Sequence, residues 1–318
     1  MFTERIVETG KGRLHFRRET LTGLSCRISA ERIKRAIDLS CRMEFSPDGC
    51  PFCGGNLTSA TPLFPDGRRI LVGESVTFPN LYPFGEWHTV TVISRDHTVP
   101  AFSRRQLADA FTGQLESLED HDGYASINWN FLPSAGASLA HPHLQGLVDF
   151  RPSPLAARYI EGSEEYRRKY GRSYRDDLRT AERGGGRILA DEGIFWFANP
   201  VPLGEKEIRG ILPISHLSDL GPFIEDLAGG LVEIIAFYGN LGTHAFNLSL
   251  FFDREGCDHG FSAFCSIIAR INPNQYSMSD SSFMERLHLE PVILTMPEEL
   301  ARMYREWKGV MDISKAYS

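Results

Sequence analysis

The chain has 318 residues, 42% hydrophobic and 24% charged, with a formal net charge of −7. That is room for two ordinary domains, at roughly 150 residues each, and it is the composition of a soluble globular protein. The balance gives no general reason to bind nucleic acid or an anionic membrane, and no run approaches the roughly 18 to 20 apolar residues of a membrane span. Met1-Phe2-Thr3-Glu4-Arg5 lacks a basic stretch leading into an apolar one, so no secretory leader is expected and a cytoplasmic location follows. Six cysteines in such a chain invite a metal reading rather than a disulfide scaffold.

In chain order, the first chemistry lies at Cys50-Pro51-Phe52-Cys53-Gly54-Gly55-Asn56. A tight turn there aims two thiols at one ion, and the glycines let the loop fold back. A thioredoxin-type redox pair competes, but Pro47, Asp48, Gly49 and Gly54 argue against the helix N-terminus it requires. A structural zinc needs four donors. Two more must come from elsewhere, and His97 and His141 at strand ends are candidates.

Next comes an internal repeat. Phe78-Pro79-Asn80 leads through Val90-Thr91-Val92-Ile93-Ser94 to His97, and Phe197-Ala198-Asn199 leads through Ile211-Leu212-Pro213-Ile214-Ser215 to His216. The offset is constant, since 197−78, 199−80 and 216−97 are all 119. Each copy then enters an amphipathic helix, carried by Leu107, Phe111, Leu115 and Leu118 in the first and by Phe223, Leu227, Leu231, Ile234 and Tyr238 in the second. A strand follows, with Asn128 in one copy and Asn247 in the other, again 119 apart. The pattern predicts two strand-strand-helix-strand units with antiparallel strands and a helix packed on one face. Between them, the densely charged segment from about Gly162 to Arg187 is expected to be a solvated helix plus linker.

The first copy ends in Ser134-Ala135-Gly136-Ala137-Ser138-Leu139-Ala140-His141-Pro142-His143-Leu144-Gln145. Small residues let backbone N–H groups approach an anion, and in an extended segment His141, His143 and Gln145 share one face. Two imidazoles and an amide beside a phosphate-sized cradle suggest phosphoryl or nucleotidyl chemistry, whereas a lone His-X-His is also compatible with a half-buried strand. The second copy has no such pair near Phe261-Ser262-Ala263-Phe264-Cys265, only His259 before it. Catalysis is therefore assigned to the first half, residues 1–155, and a scaffolding or pocket-completing role to a degenerate repeat at 156–318.

These residues together resemble the galactose-1-phosphate uridylyltransferase family of the histidine-triad superfamily. The match runs through Cys50-X-X-Cys53, Phe78-Pro79-Asn80-Leu81-Tyr82-Pro83, His97, Asn130, Gly136-Ala137-Ser138 and His141-Pro142-His143-Leu144-Gln145. It is specific over residues 50–150 and weaker over the duplicated half. The resemblance implies an α+β fold of two tandem histidine-triad-like domains, each an antiparallel sheet with packed helices. It implies one structural zinc on Cys50, Cys53, His97 and His141, and His143 as nucleophile. Phe78 and Asn80 fall where the family binds the nucleoside, and Asn130, Gly136, Ser138 and Gln145 where it positions phosphates; His88 falls on a superfamily strand histidine with its role open. The activity implied is nucleotidyl transfer from a nucleoside diphosphate sugar to a hexose 1-phosphate, in galactose or related carbohydrate metabolism, by a homodimer. A nucleoside diphosphate sugar or dinucleoside polyphosphate phosphorylase using inorganic phosphate as acceptor is the alternative.

The chain also departs from the family. The positions around Phe261 to Cys265 and around Tyr159 lack the family's second metal ligands, so no second metal is expected. Ser282-Phe283-Met284-Glu285-Arg286-Leu287-His288-Leu289-Glu290 stands where the family has a Lys-Phe-Met-Val-Gly-Tyr-Glu-like run. Galactose is therefore not secured as the sugar, and the nucleoside is equally open.

Overall fold

The computed structural model describes residues 1–9, 12–30, 46–271 and 280–316. In chain order the elements are β1 (Phe2–Thr9), β2 (Gly12–Glu19), β3 (Ser25–Ile28), α1 (Asn56–Ala60), β4 (Ile70–Val72), β5 (Ser75–Pro79), β6 (Trp87–Val92), α2 (Arg104–Leu118), β7 (Tyr124–Phe131) and β8 (His143–Asp149). Then follow α3 (Pro154–Tyr170), α4 (Tyr174–Arg183), β9 (Ile188–Glu192), β10 (Ile194–Ala198), β11 (Ile208–Ile211), α5 (Ile224–Asn240), β12 (Ala245–Phe251), β13 (Phe264–Arg270), α6 (Phe283–Arg286), β14 (Val292–Ile293) and α7 (Pro297–Ala316). Among the described residues no helix is long and apolar enough to cross a membrane.

Ten strands form one antiparallel sheet in the order β4-β5-β6-β8-β7-β12-β13-β11-β10-β9. The order is a palindrome of the repeat. β5, β6, β7 and β8 of the first copy correspond to β10, β11, β12 and β13 of the second, and the copies join edge to edge through β7 and β12. In that seam Trp129 pairs with Leu248, Asn128 with Ser249 and Asn130 with Asn247. Trp129 and Leu248 are themselves 119 residues apart, so a pseudo-two-fold axis passes through their pair.

Strand alternation sorts the seam by face. Ile127, Trp129, Leu248 and Leu250 are fully or almost fully buried in the main core, with Leu107, Phe111 and Leu118 of α2 and Leu227, Leu231 and Ile234 of α5. Asn128, Asn130 and Asn247 point to the opposite face, where the candidate site lies. Helix α2 starts at Ser103, whose hydroxyl caps the Gln106 N–H while the Gln106 side chain caps Ser103, an arrangement that satisfies two donors otherwise left free. The helix lies so close to β8 that a Cβ on Gly146 would come within 2.0 Å of Gln114 Oε1.

Residues 162–183 are largely helical, as expected, but are packed on one side rather than fully solvated. They belong to α3 and α4, whose inner faces bury Tyr159, Ile160, Ser163, Tyr174 and Leu178 against Phe195, Phe197, Ile211 and Phe264 of the second half-sheet. The charges occupy the outer faces, so charge density concealed an amphipathic pattern. A second sheet, β1-β2-β3-β14, joins the N-terminal strands to the C-terminal half, and β14 pairs with β3 in parallel.

Candidate active site

The Cys50–Cys53 turn lies over the first half-sheet. Cys53 Sγ is 3.3 Å from His97 Nδ1 and 3.4 Å from His141 Nδ1, and Cys50 Sγ is 3.8 Å from His141 Nδ1. All four donor atoms lie within 4.8 Å of one another. Sulfur and nitrogen ligands on a tetrahedral zinc are about 3.5 Å apart, given the usual bond lengths, so the set fits that ion. His141 Nε2 lies 2.8 Å from Ser94 O; donating there puts the proton on Nε2 and turns the Nδ1 lone pair to the thiols. Burial and then the Cys50 thiol push the Cys53 thiol up to about 11. A bound cation would reverse that shift by favouring the thiolates.

β8 begins at His143, so His141 lies just before the strand and is free to turn onto the thiols. His143 Nδ1 donates to His141 O at 2.8 Å, leaving the Nε2 lone pair uncommitted. The ring is 6% exposed, and burial holds its pKa below the usual histidine value, so the neutral form is favoured. Phe52 stands edge-on to both rings, with centroids 6.0 Å from His141 and 5.4 Å from His143. Sequence reading passed over Phe52, although its place between the two cysteines was a signal that the Cys50–Cys53 loop would carry it there.

Gln145, two residues along β8, meets a strand neighbour whose role the sequence left open. Gln145 Oε1 and Asn80 Nδ2 each lie 3.0 Å from His88 Nε2. With the proton on Nε2 the ring donates to Gln145; with it on Nδ1 it accepts from Asn80. The Phe84 N–H, 3.4 Å from Nδ1, favours the first arrangement, which leaves the Gln145 NH2 group unspent. Asn80 Oδ1 also accepts from Tyr82 N–H at 2.9 Å. Phe78 is only 2% exposed and packs edge-on to Phe52.

The turn after β7 differs from the cradle expected from sequence. Gly136 N–H bonds back to Pro133 O and Ala137 N–H to Leu132 O, so both donors are spent within the turn. Among the described residues, the N–H and hydroxyl of Ser138 remain uncommitted, and Gly136 keeps its value in a left-handed φ of 90°. Leu132, with φ 71° and ψ 156°, sits in a region costly for any side chain. The strain is held by a contact that sequence reading missed. Asn247 Nδ2 donates to Asn130 Oδ1 at 2.6 Å and to Ala135 O at 2.8 Å, while Arg270 Nη1 donates to Asn247 Oδ1 at 2.6 Å. The second half thus fixes the turn and leaves the Asn130 NH2 group directed to the site.

This two-copy sheet with helices α2 and α5 on one face is a fold shared with solved uridylyltransferase and ADP-glucose phosphorylase structures. Over 92% of this chain and 98% of that one, it is similar to an ADP-glucose phosphorylase from Arabidopsis thaliana, solved with bound ADP-glucose, at a TM-score of 0.72 and 19% identity. Over 92% of this chain and 97% of that one, it is similar to a uridylyltransferase at a TM-score of 0.67 and 18% identity. In sequence it is 29% identical to an uncharacterised protein of Archaeoglobus fulgidus over 268 residues, 81% of each chain. No family model matches it.

Proposed function

We propose that the chain is a nucleotidyltransferase that takes a nucleoside monophosphate from a nucleoside diphosphate sugar and passes it, through a covalent bond to His143, to a second phosphate-bearing acceptor. The observation that carries this reading is the single free lone pair of His143: Nδ1–H is held by His141 O, so Nε2 is the attacking atom. It displaces sugar 1-phosphate from the α-phosphorus in line, forming one N–P bond as one P–O bond breaks. The carbonyl that accepts Nδ1–H stabilises the positive charge that grows on the ring. An acceptor phosphate oxygen then attacks the same phosphorus, and the N–P bond breaks to return neutral His143.

Gln145 and Asn130, each with its amide oxygen engaged by a neighbour, present NH2 groups to the non-bridging oxygens, and Ser138 adds its N–H. A well-placed donor of this kind is worth roughly 3 to 4 kcal/mol in other enzymes. Cys50, Cys53, His97 and His141 would hold one zinc, whose closed set of four ligands makes it structural and pins Phe52 over His143.

The acceptor is a hexose 1-phosphate, as in uridylyltransferases, or inorganic phosphate, as similarity to an ADP-glucose phosphorylase suggests. The resemblance also implies a homodimer, in which the 282–290 segment, with Phe283, Leu287 and Leu289 exposed, reaches the partner's site. Incubation with labelled nucleoside diphosphate sugars and no acceptor should leave one nucleotide per active chain, absent in a folded His143→Asn variant. Chasing the labelled protein with phosphate or with sugar 1-phosphates identifies the acceptor, and labelling that persists in the variant overturns the assignment.

A further inference from the structure

Around one spot the two copies repeat hydrogen bond for hydrogen bond. The Asn80 N–H to His88 O bond of 2.8 Å recurs as Asn199 N–H to Glu207 O at 3.1 Å. The contact of the Asn80 amide with His88 recurs as Asn199 Nδ2 to Glu207 Oε2 at 2.8 Å. The His88–Gln145 contact recurs as Ser266 Oγ to Glu207 Oε1 at 2.6 Å. Val92 pairs with His143 in the first half-sheet and Ile211 with Phe264 in the second. Phe264 therefore stands where His143 stands, and Arg209 stands where Val90 does.

In the first copy the Cys50–Cys53 loop covers this place; in the second, α3 and α4 cover it and leave space. A small cavity of about 30 Å³, partly open to solvent, is bordered by Arg209, Phe264, Ser163, Tyr174, Arg175 and Ser262. Its acceptors are already used. Glu19, at the wall, takes bonds from Tyr159 and Thr22, and Glu207, beyond the wall, takes them from Arg209, Ser266 and Asn199. Burial pushes the Glu19 carboxyl pKa up, which favours its uncharged form.

Four donors at the wall are not used. Arg175 Nε is buried without a partner, and the Tyr174 phenol, 7% exposed, has none among the described residues, nor do the hydroxyls of Ser163 and Ser262. An isolated buried guanidinium donor is costly unless an acceptor reaches it. A ligand complementary to this wall brings several oxygen acceptors and a negative charge.

We propose that the cavity is a second, non-covalent phosphoanion site, taking inorganic phosphate or the phosphate group of a small ester on Arg175, Tyr174 and the two serine hydroxyls. With Phe264 in place of the histidine, no covalent intermediate forms there. The site is a binding remnant of the repeat with its own occupant, separate from the chemistry at His143.

Equilibrium dialysis of the full chain with radiolabelled inorganic phosphate tests this. Saturable binding is expected in the wild type and in His143→Asn, and about tenfold weaker binding in Arg175→Gln and in Tyr174→Phe, the loss of one strong hydrogen bond to a charged group. Tyr174→Phe keeps the ring that packs on Tyr166, so it reports on the hydroxyl even if the arginine variant folds poorly. Covalent labelling of His143 should be unchanged in both, and the dialysis result stands whether or not His143 labels. Displacement of the bound phosphate by glucose 1-phosphate would assign the site to phosphate esters; failure to displace it would assign it to the free ion. Wild-type binding in both cavity variants, binding lost in His143→Asn, or no saturable binding at all overturns the proposal.

Discussion

Asn130 and Asn247 face each other across the seam of the sheet, and the 2.6 Å bond between their side chains decides which end of the Asn130 amide faces the site. Asn247→Ala should free that amide to flip and release Ala135 O. The expected result is a fall of about tenfold in kcat/KM, near the worth of one hydrogen bond to a charged phosphate. Asn247→Asp should cost more, because a carboxylate facing Asn130 Oδ1 and Ala135 O repels both. Steady-state kinetics of the two variants check this, and unchanged kcat/KM in both would remove Asn247 from the positioning of the turn.

Metal removal should act on stability before affinity. Elemental analysis should find about one zinc per chain for one closed four-ligand site. Cys50→Ser combined with Cys53→Ser should lower the melting temperature more than it changes nucleotide affinity, since the loop carrying Phe52 loses its anchor. A protein that holds no metal at neutral pH, or whose metal exchanges with substrate oxygen, contradicts the structural assignment.

Acid should weaken the His88 network. Burial lowers the pKa of this ring in the folded chain, so below the ordinary histidine value of about 6.5 the unfolded chain takes up a proton that the folded chain resists. The stability tied to neutral His88 is complete above that pH and declines as pH falls toward the lower folded-state value. His121 and His143 are shifted the same way by burial, so His88→Gln should flatten the decline without abolishing it. Chemical denaturation from pH 7.5 down to pH 5 reads the slope. An identical slope in wild type and variant would show that His88 does not contribute.

Acceptor choice should depart from galactose. The segment from Ser282 to Glu290 has neither lysine nor tyrosine, and a sugar site discriminates through buried groups that pair with hydroxyls. Galactose 1-phosphate should be a poor acceptor beside the best member of a panel that includes inorganic phosphate. Efficient turnover of galactose 1-phosphate with UDP-glucose would restore the plain uridylyltransferase reading.

The grouping of candidate residues in the first half was legible because it depends on short spacings: Cys50 to Cys53, and His141 to His143 to Gln145. The constant offset of 119 also exposed the duplication. What the offset concealed was how the copies meet. It makes Asn247 the counterpart of Asn128, yet the antiparallel seam reverses direction and sets Asn247 opposite Asn130. The second copy's counterpart of His88 was hidden for a different reason. Glu207 occupies that position and keeps the geometry with a different side chain, so a search for histidines passes it by. The amphipathic faces of α3 and α4 were masked by charge, and the pairing of β3 with β14 joins segments too distant for any local pattern to reveal.

The seam has a consequence for dissecting the protein. A chain ending near residue 155 would keep the cysteines, His97, His141, His143 and Gln145, but β7 would become a bare edge, its outer N–H and C=O groups exposed along its whole length. Such an edge recruits other strands. Self-association of the isolated half through β7 could then be mistaken for natural assembly, whereas in the intact chain β12 occupies that edge.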